Sequence, residues 1–409
     1  MKNAIVAQSG GPTAVINASA IGVINGILES KYYDRIYGGI NGIQGILDNR
    51  IIDLTNLDIN QLERIKYTPS SFLGSCRYKL KDCDEQDEEY LRLFQILDEY
   101  DIHTLFYIGG NDSMDTVSKL SEYAKLRGLN KQIIGIPKTI DNDLCHTDHT
   151  PGYGSAVKYI VTTILETYLD FNAYSNKGIF ILETMGRDTG WLAASGVLAK
   201  INGKAIADFI YLPEIEFSPE KFLKEVEEKY KEQKSVYIIV SEGIKGSSGE
   251  YFFGVNSTDH DAFSHSQLGG VGQSLKKLIL ERGIATRIKT FELNIAQRCS
   301  MHCVSDRDIE EAFILGKEAV QESVEGYTGF MIGIERLQDN PYKMKTFRVD
   351  ASSVANNIKH FPAEWINEEK NNVKSDAIDY IAPLITLSQD LSIDSGLPEY
   401  FLLEKNEYV

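Results

Sequence analysis

Short apolar runs that each end in glycine or polar residues recur along this 409-residue chain, and they leave few folds open. The first is Asn3 to Gln8. It ends at Ser9-Gly10-Gly11-Pro12-Thr13, and the apolar periodicity that follows predicts a helix from about Ala14 to Ser30. Thr104 to Ile108 repeats the pattern, with Gly109-Gly110-Asn111-Asp112-Ser113 and then a helix from about Met114 to Arg127. Gln132 to Ile136 ends at Pro137. Lys177 to Glu183 leads into Thr184-Met185-Gly186-Arg187 and a helix to about Ile201. Ser235 to Val240 leads into Ser241-Glu242-Gly243. Strand, turn and helix in alternation predict open parallel α/β sheets. Such sheets bind ligands at the carboxyl ends of their strands, which is where the glycine and polar residues fall.

The chain is too long for one compact core and suits two α/β lobes. The segment Lys79 to Glu89 reads as a charged, solvated loop entering a helix from Tyr90 to Tyr100. Pro213 to Pro219 reads as a connector before a charged amphipathic helix from Glu220 to Glu232. Beyond about Gly329 the pattern holds only strand-like pieces and a polar stretch from Asn367 to Lys374. A formal net charge of -17 repels nucleic acid and anionic membranes, so any phosphate site must be built from local cations against the overall field. Five cysteines, Cys76, Cys83, Cys145, Cys299 and Cys303, are too few and odd in number for a disulfide framework. Met1 to Ala7 lacks a signal-peptide core, and no run approaches 18 apolar residues. These features predict a protein of the reducing cytoplasm.

The strand ends carry the chemistry. At Gly10-Gly11, paired glycines let main-chain N–H groups approach an anion, and the following helix adds its positive end. The same turn also serves as a tight connection, and no Gly-Lys-Ser/Thr follows it. Gly109-Gly110-Asn111-Asp112 repeats the double glycine, with Asn111 and Asp112 as oxygen ligands for a metal. In Pro137-Lys138-Thr139-Ile140-Asp141-Asn142-Asp143, Lys138 can neutralise phosphate oxygens and Thr139 can donate a hydrogen bond. One of the two carboxylates can take a proton from an attacking hydroxyl while the other serves a metal. An Asx-type turn explains Asp-Asn-Asp equally, but not the Lys-Thr pair before it. Arg187, Arg77 and Arg298 are candidate phosphate forks, and Glu242 a candidate acceptor for sugar hydroxyls. Cys299, His302 and Cys303 have no second pair at zinc spacing and read as helix-core residues.

Taken in order, SGGPTAVINA, GGNDS, PKTIDND, TMGRDTGW, VSEG and AQRCS resemble the 6-phosphofructokinase family, most closely its pyrophosphate-dependent branch. The resemblance covers roughly Ala4 to Gly329. It implies two Rossmann-like α/β lobes with parallel central sheets and an active site between them, in a homodimer or homotetramer. It places a larger donor-binding lobe at 1–155 and about 268–328, a smaller sugar-phosphate lobe at 156–267, and an extension at 329–409. The implied reaction transfers phosphate to the 1-hydroxyl of fructose 6-phosphate with Mg²⁺. By matching positions, Gly10, Gly11, Arg77, Asp112 and Lys138 would face the donor. Thr139, Ile140 and Asp141 belong to the sugar site, with Asp141 the general base and Asp143 near it and the metal. Met185, Gly186, Arg187 and Glu242 would hold the sugar phosphate. Arg298 would hold its 6-phosphate, from a neighbouring subunit.

Where ATP-dependent relatives carry Gly-Gly-Asp-Gly and Pro-Gly-Thr-Ile-Asp, this chain has Asp112 for the last glycine and Lys138 for the second residue. A side chain at 112 fills room that an α-phosphate needs, and an ammonium at 138 adds attraction for a small donor, so both point to pyrophosphate. Asn111 stands where the ATP pattern has a metal-binding Asp. Gly178 stands where bacterial ATP-type relatives place a subunit-crossing Arg, and Cys299-Ser300 replace the usual Gly-Gly, which leaves the parts of Arg287, Arg307 and His302 open. An ATP-dependent phosphofructokinase and a non-catalytic phosphosugar sensor are the alternatives. The presence of Lys138, Thr139 and Asp141 together disfavours the sensor.

Overall fold

The computed structural model describes residues 2–82, 88–252, 268–386, 393–394 and 397–398. Its two main sheets are built from strands β1 Asn3–Gln8, β2 Ile36–Gly39, β3 Ile51–Asp53, β4 Ile102–Gly109, β5 Gln132–Pro137, β6 Ile179–Thr184, β7 Phe209–Tyr211, β8 Val236–Ser241, β9 Ile288–Glu292, β10 Phe330–Asp339 and β11 Tyr342–Asp350. The chain divides into two compact units. One comprises Met1–Ser155, Arg298–Ile358 and Thr386–Val409, the other Ala156–Gln297 and Lys359–Ile385.

In the first unit, among the described residues, seven strands lie in the order β11-β10-β5-β4-β1-β2-β3. The inner strands are parallel, and the two outermost, β3 and β11, run antiparallel to their neighbours. β1 and β5 are buried at every position, which is why they read as continuous apolar runs rather than alternating ones. Helices Ile16–Ser30 and Asp306–Val324 pack against this sheet through Ile16, Ile24, Leu315 and Val320. Each such buried side chain contributes roughly 1.5–3 kcal/mol. In the second unit, four parallel strands lie in the order β9-β6-β8-β7. Helix Pro219–Gln233 starts on two local signals, Ser218 accepting from the Lys221 N–H and Pro219 in the first turn.

The expected lobe boundary near 268 falls instead at Arg298, because β9 pairs in parallel register with β6 and holds 288–292 in the second unit. The expected separate extension after 329 is divided. β10 and β11 extend the first sheet, with Phe330 opposite Ile134 on β5. Residues 359–385 belong to the second unit, where Trp191 meets Phe361, Trp365 and Tyr380 and its Nε1–H donates to the Lys359 carbonyl at 3.0 Å. The helix expected to run to about Ile201 is one short turn, Trp191–Ala194, with a 3-10 turn to Leu198. A side chain at Gly196 would come within 2.1 Å of Ile239, so this stretch is pressed onto β8 and does not continue as a regular helix. Residues 83–87 of the expected charged loop lie outside the described residues, and the helix after it is Glu88–Glu99. Among the described residues, no helix is long and apolar enough to cross a membrane.

Candidate active site

In the first unit the two glycine turns are fastened together. The Ser9 N–H donates to the Ile108 carbonyl at 2.9 Å, and the hydroxyls of Ser9 and Ser113 share a hydrogen bond. Ser75 donates from its hydroxyl to the Gly10 carbonyl at 2.6 Å, and the Gly10 N–H donates to the Cys76 carbonyl at 3.0 Å. This brings Arg77, exposed at its surface, beside the first turn. Gly10 has φ +75°, a conformation that side-chain-bearing residues avoid.

Lys138 joins three strand ends. Its N–H donates to the Gly109 carbonyl at 2.9 Å, and its Nζ donates to the Gly11 carbonyl at 2.7 Å. The side chain is 3% exposed. Burial pushes its ammonium down to about 8, and Arg298 and Arg77 push the same way, while Asp141 and Asp143 pull it up. A Cβ on Gly10 would lie 3.2 Å from Lys138 Nζ, and one on Gly11 3.0 Å from Arg298 Nη1. The glycines therefore admit two cations to the first turn. Arg298, expected on the sugar's 6-phosphate, lies here against Gly11 of its own chain.

The stretch Thr139 to Asp143 is a turn as well as a cluster of functional groups. The Asp141 N–H donates to the Thr139 hydroxyl oxygen at 3.1 Å. Asn142 sits at φ 53° and accepts the Thr150 N–H at 3.1 Å. The Asx-type turn is present, with Asn142 holding it while Asp141 and Asp143 flank it. Ile140 is 5% exposed, so its side chain belongs to the core and only its main chain is available to a substrate.

The far end of this loop is anchored by residues that the sequence reading missed. Asp308 accepts from the N–H groups of Gly152 (2.8 Å) and Ser155 (2.9 Å) and from the Ser155 hydroxyl (2.5 Å). His149 is buried between Asp148 (2.7 Å) and Glu311 (2.6 Å). Glu311 also accepts from Tyr342 at 2.5 Å, and Asp148 is paired with Arg336 at 2.8 Å. Burial alone would push the His149 imidazole down, but the Glu311 and Asp148 carboxylates outweigh it and hold it up at about 9. Single polar residues far along the chain left no sequence pattern to find.

Asn111 is placed otherwise than a metal ligand would be. The helix starts at Asn111 itself, three residues earlier than expected, because the Ser113 and Met114 N–H groups both close on the Gly110 carbonyl at 3.1 Å. The Asn111 carboxamide faces the chain at 354–357. Its Oδ1 accepts the Asn356 N–H at 2.7 Å, and its Nδ2 donates to the carbonyls of Asn357 (2.5 Å) and Val354 (3.3 Å). Asp112 lies in the same first turn, where the helix end favours a negative charge. Among the described residues, no group of three or more His, Cys, Asp or Glu gathers closely enough to hold a metal ion. Cys299 and Cys303 are half-buried in two short helical turns.

The second unit has its own cluster. Gly186, at φ +131°, follows β6, and its carbonyl accepts the Ser241 hydroxyl at 2.5 Å. The Glu242 N–H donates to the Thr184 carbonyl at 2.9 Å, and the Met185 N–H donates to Gln297 Oε1 at 3.2 Å. A Cβ on Gly243 would lie 1.9 Å from the Arg187 carbonyl, so the turns carrying Arg187 and Glu242 are packed tightly together. Asp188 pairs with Lys245 at 2.8 Å and accepts from the Tyr251 hydroxyl at 3.1 Å. Burial pushes the Tyr251 phenol up, with Asp188 and Glu242 adding to it and Arg187 opposing it, so these charges share one neighbourhood. A side chain at Gly178 would come within 2.2 Å of the Arg287 carbonyl, so no Arg fits there. Arg287 itself is engaged with the carbonyls of Asn176 and Phe171, and Arg307 stacks on Tyr342.

Glycine turns, a buried lysine and adjacent carboxylates at the ends of parallel strands define an enzyme of open α/β architecture that handles phosphoryl groups. The chain belongs to the phosphofructokinase family, which it matches over residues 3–322. It is 39% identical over 407 residues to a pyrophosphate--fructose 6-phosphate 1-phosphotransferase of Methylococcus capsulatus, covering 98% of this chain and 96% of that one. A pyrophosphate-dependent phosphofructokinase structure from Nitrosospira multiformis superposes with a TM-score of 0.88 at 36% identity, covering 98% of this chain and 96% of that one. One from Marinobacter aquaeolei gives 0.86 at 35% identity, covering 100% and 98%.

Proposed function

We propose that this protein transfers a phosphoryl group from pyrophosphate to the 1-hydroxyl of fructose 6-phosphate, reversibly, giving fructose 1,6-bisphosphate and phosphate. The observation that carries this reading is the buried Lys138 ammonium, 2.7 Å from the Gly11 carbonyl and under the charges of Arg298, Arg77, Asp141 and Asp143. A compact, highly charged donor meets there a point charge and two guanidinium groups. Lys138, Arg77, Gly10 and Gly11 hold the donor, with Arg298 joining them, and Asp112 restricts its length. Asp141 accepts the proton of the 1-hydroxyl, and Asp143 orients the neighbourhood. Thr139, the Ile140 main chain, Met185, Gly186, Arg187 and Glu242 bind the sugar phosphate.

The donor atoms present suit Mg²⁺. Asp112, Asp141 and Asp143 offer carboxylate oxygens, and Mg²⁺ takes one or two of these together with substrate phosphates and water rather than a closed protein cage. When bound, it supplies neutralisation of the phosphoryl oxygens. Asn111, with its carboxamide committed to 354–357, is left out of this set. The strongly acidic charge and the few cysteines support a cytoplasmic protein that binds neither nucleic acid nor membrane, and the family supports a homodimer or homotetramer. Phosphorus NMR of the product tests the reaction. A phosphate ester on C1, formed with one equivalent of orthophosphate, is expected; phosphate elsewhere on the sugar, or none, refutes it.

A further inference from the structure

The residue most out of place for its expected role is Asn111. Three hydrogen bonds of its side chain run to one short piece of chain, Val354 to Asn357, which no sequence motif marked. A fourth bond joins the same pieces, the Asn356 Nδ2 donating to Asp115 Oδ1 at 3.1 Å. Asn111 and Asp115 are four residues apart on helix Asn111–Leu126 and so share one face, directly beyond the second glycine turn. Val354 is fully buried and clusters with Met114 on the same helix. Asn356 takes a left-handed conformation, φ 60°, which turns its N–H toward Asn111. This first-turn face is therefore covered by main chain.

A phosphoryl donor seated at the glycine turns ends in phosphate if it is pyrophosphate. If it is a nucleoside triphosphate, it must carry a ribose and a base onward along a neighbouring surface. We propose that residues 354–357, clasped by Asn111 and Asp115, are a specificity element that denies such a donor the helix face beyond Gly110. The inference rests on the pyrophosphate reading above. It adds that Asp112 and Lys138 do not set donor choice alone. Asn111 suits the clasp because its carboxamide both accepts from an N–H and donates to carbonyls. A carboxylate at 111 would face the carbonyls of Asn357 and Val354 without a proton to offer.

The test uses Asp112→Gly as background, so that room at 112 is already open. Asn111→Ala removes the clasp without supplying a new metal ligand. A second variant replaces Val354-Ala355-Asn356-Asn357 with Gly-Ser-Gly-Ser and keeps Asn111. Calorimetric affinities for ATP and for pyrophosphate are compared, and hydrogen exchange of 354–357 reports release of the segment. Both variants are expected to speed that exchange and to raise the affinity for ATP relative to pyrophosphate at least tenfold beyond Asp112→Gly alone. Faster exchange with an unchanged ratio overturns the proposal. So does unchanged exchange in both variants, because Asn111 would then not hold the segment. Binding is read independently of turnover, so failure of the proposed reaction would leave this outcome legible on its own.

Discussion

Lys138 Nζ lies 2.7 Å from the carbonyl oxygen of Gly11, so the ammonium at the end of β5 is held by the turn at the end of β1. Burial brings it down to about 8, and Arg298 adds to this, so it sheds its proton inside the accessible pH range. The affinity for pyrophosphate should therefore fall as pH rises through 8, seen as an alkaline limb in kcat/KM for the donor. Lys138→Met should weaken donor use at least tenfold and abolish that limb. Stability moves the other way. The folded value lies below the unfolded 10.5, so between 8 and 10.5 the unfolded chain binds the extra proton and stability rises with pH. A donor profile flat from pH 7 to 10 would remove Lys138 from the donor site.

The two glycines of the first turn should respond differently to alanine. Gly10→Ala forces a Cβ into φ +75° and brings it 3.2 Å from Lys138 Nζ. It should cost about 1–2 kcal/mol of stability, measured by urea unfolding. Gly11→Ala meets only the movable end of Arg298 at 3.0 Å. It should leave stability within about 0.5 kcal/mol while raising the KM for pyrophosphate. Equal stability losses in the two variants would contradict the geometry.

Asp141 is argued to take the proton of the attacking hydroxyl. Asp141→Ala should lower kcat by roughly 10²–10⁴-fold with KM for the sugar phosphate nearly unchanged. An unaffected kcat would end that assignment and leave Asp143 as the carboxylate to test.

His149 lies between Asp148 and Glu311 as an imidazolium at neutral pH, its value raised to about 9 by those carboxylates against the effect of burial. A folded value above the unfolded 6.5 means the pairing stabilises fully below 6.5 and is lost as pH rises through 9. His149→Gln should therefore cost most near pH 6, at most about 3 kcal/mol, with the gap closing by pH 9.5. A pH-independent difference between the two proteins would show that charge is not what holds this end of the loop.

Much of the fold was legible because its inner strands are buried on both faces. β1 and β5 read as uninterrupted apolar runs, and the glycines after β1 and β4 marked where the chain turns. β2, with Gly38 and Gly39, and β9, in which only Ile288 is buried, lacked that signature and were not anticipated. β9 also moved the expected boundary from about 268 to Arg298, since strand pairing across distant sequence leaves no local trace. The same holds at the site. Lys138 and Asp141 stand in a dense motif. Asp308, Glu311 and the 354–357 segment act on it from far along the chain through single hydrogen bonds. Asn111 shows the limit most clearly, because its side chain suits a metal and a main-chain clasp equally, and only the fold decides between them.

Donor choice carries the central claim. Purified protein is incubated with Mg²⁺ and fructose 6-phosphate, and initial rates of fructose 1,6-bisphosphate formation are compared with pyrophosphate and with ATP at equal concentration. The buried Lys138 beside Gly11, with Asp112 in the neighbouring turn, predicts product from pyrophosphate and a rate with ATP at least a hundredfold lower. Product from ATP alone, or equal rates with both, would contradict it.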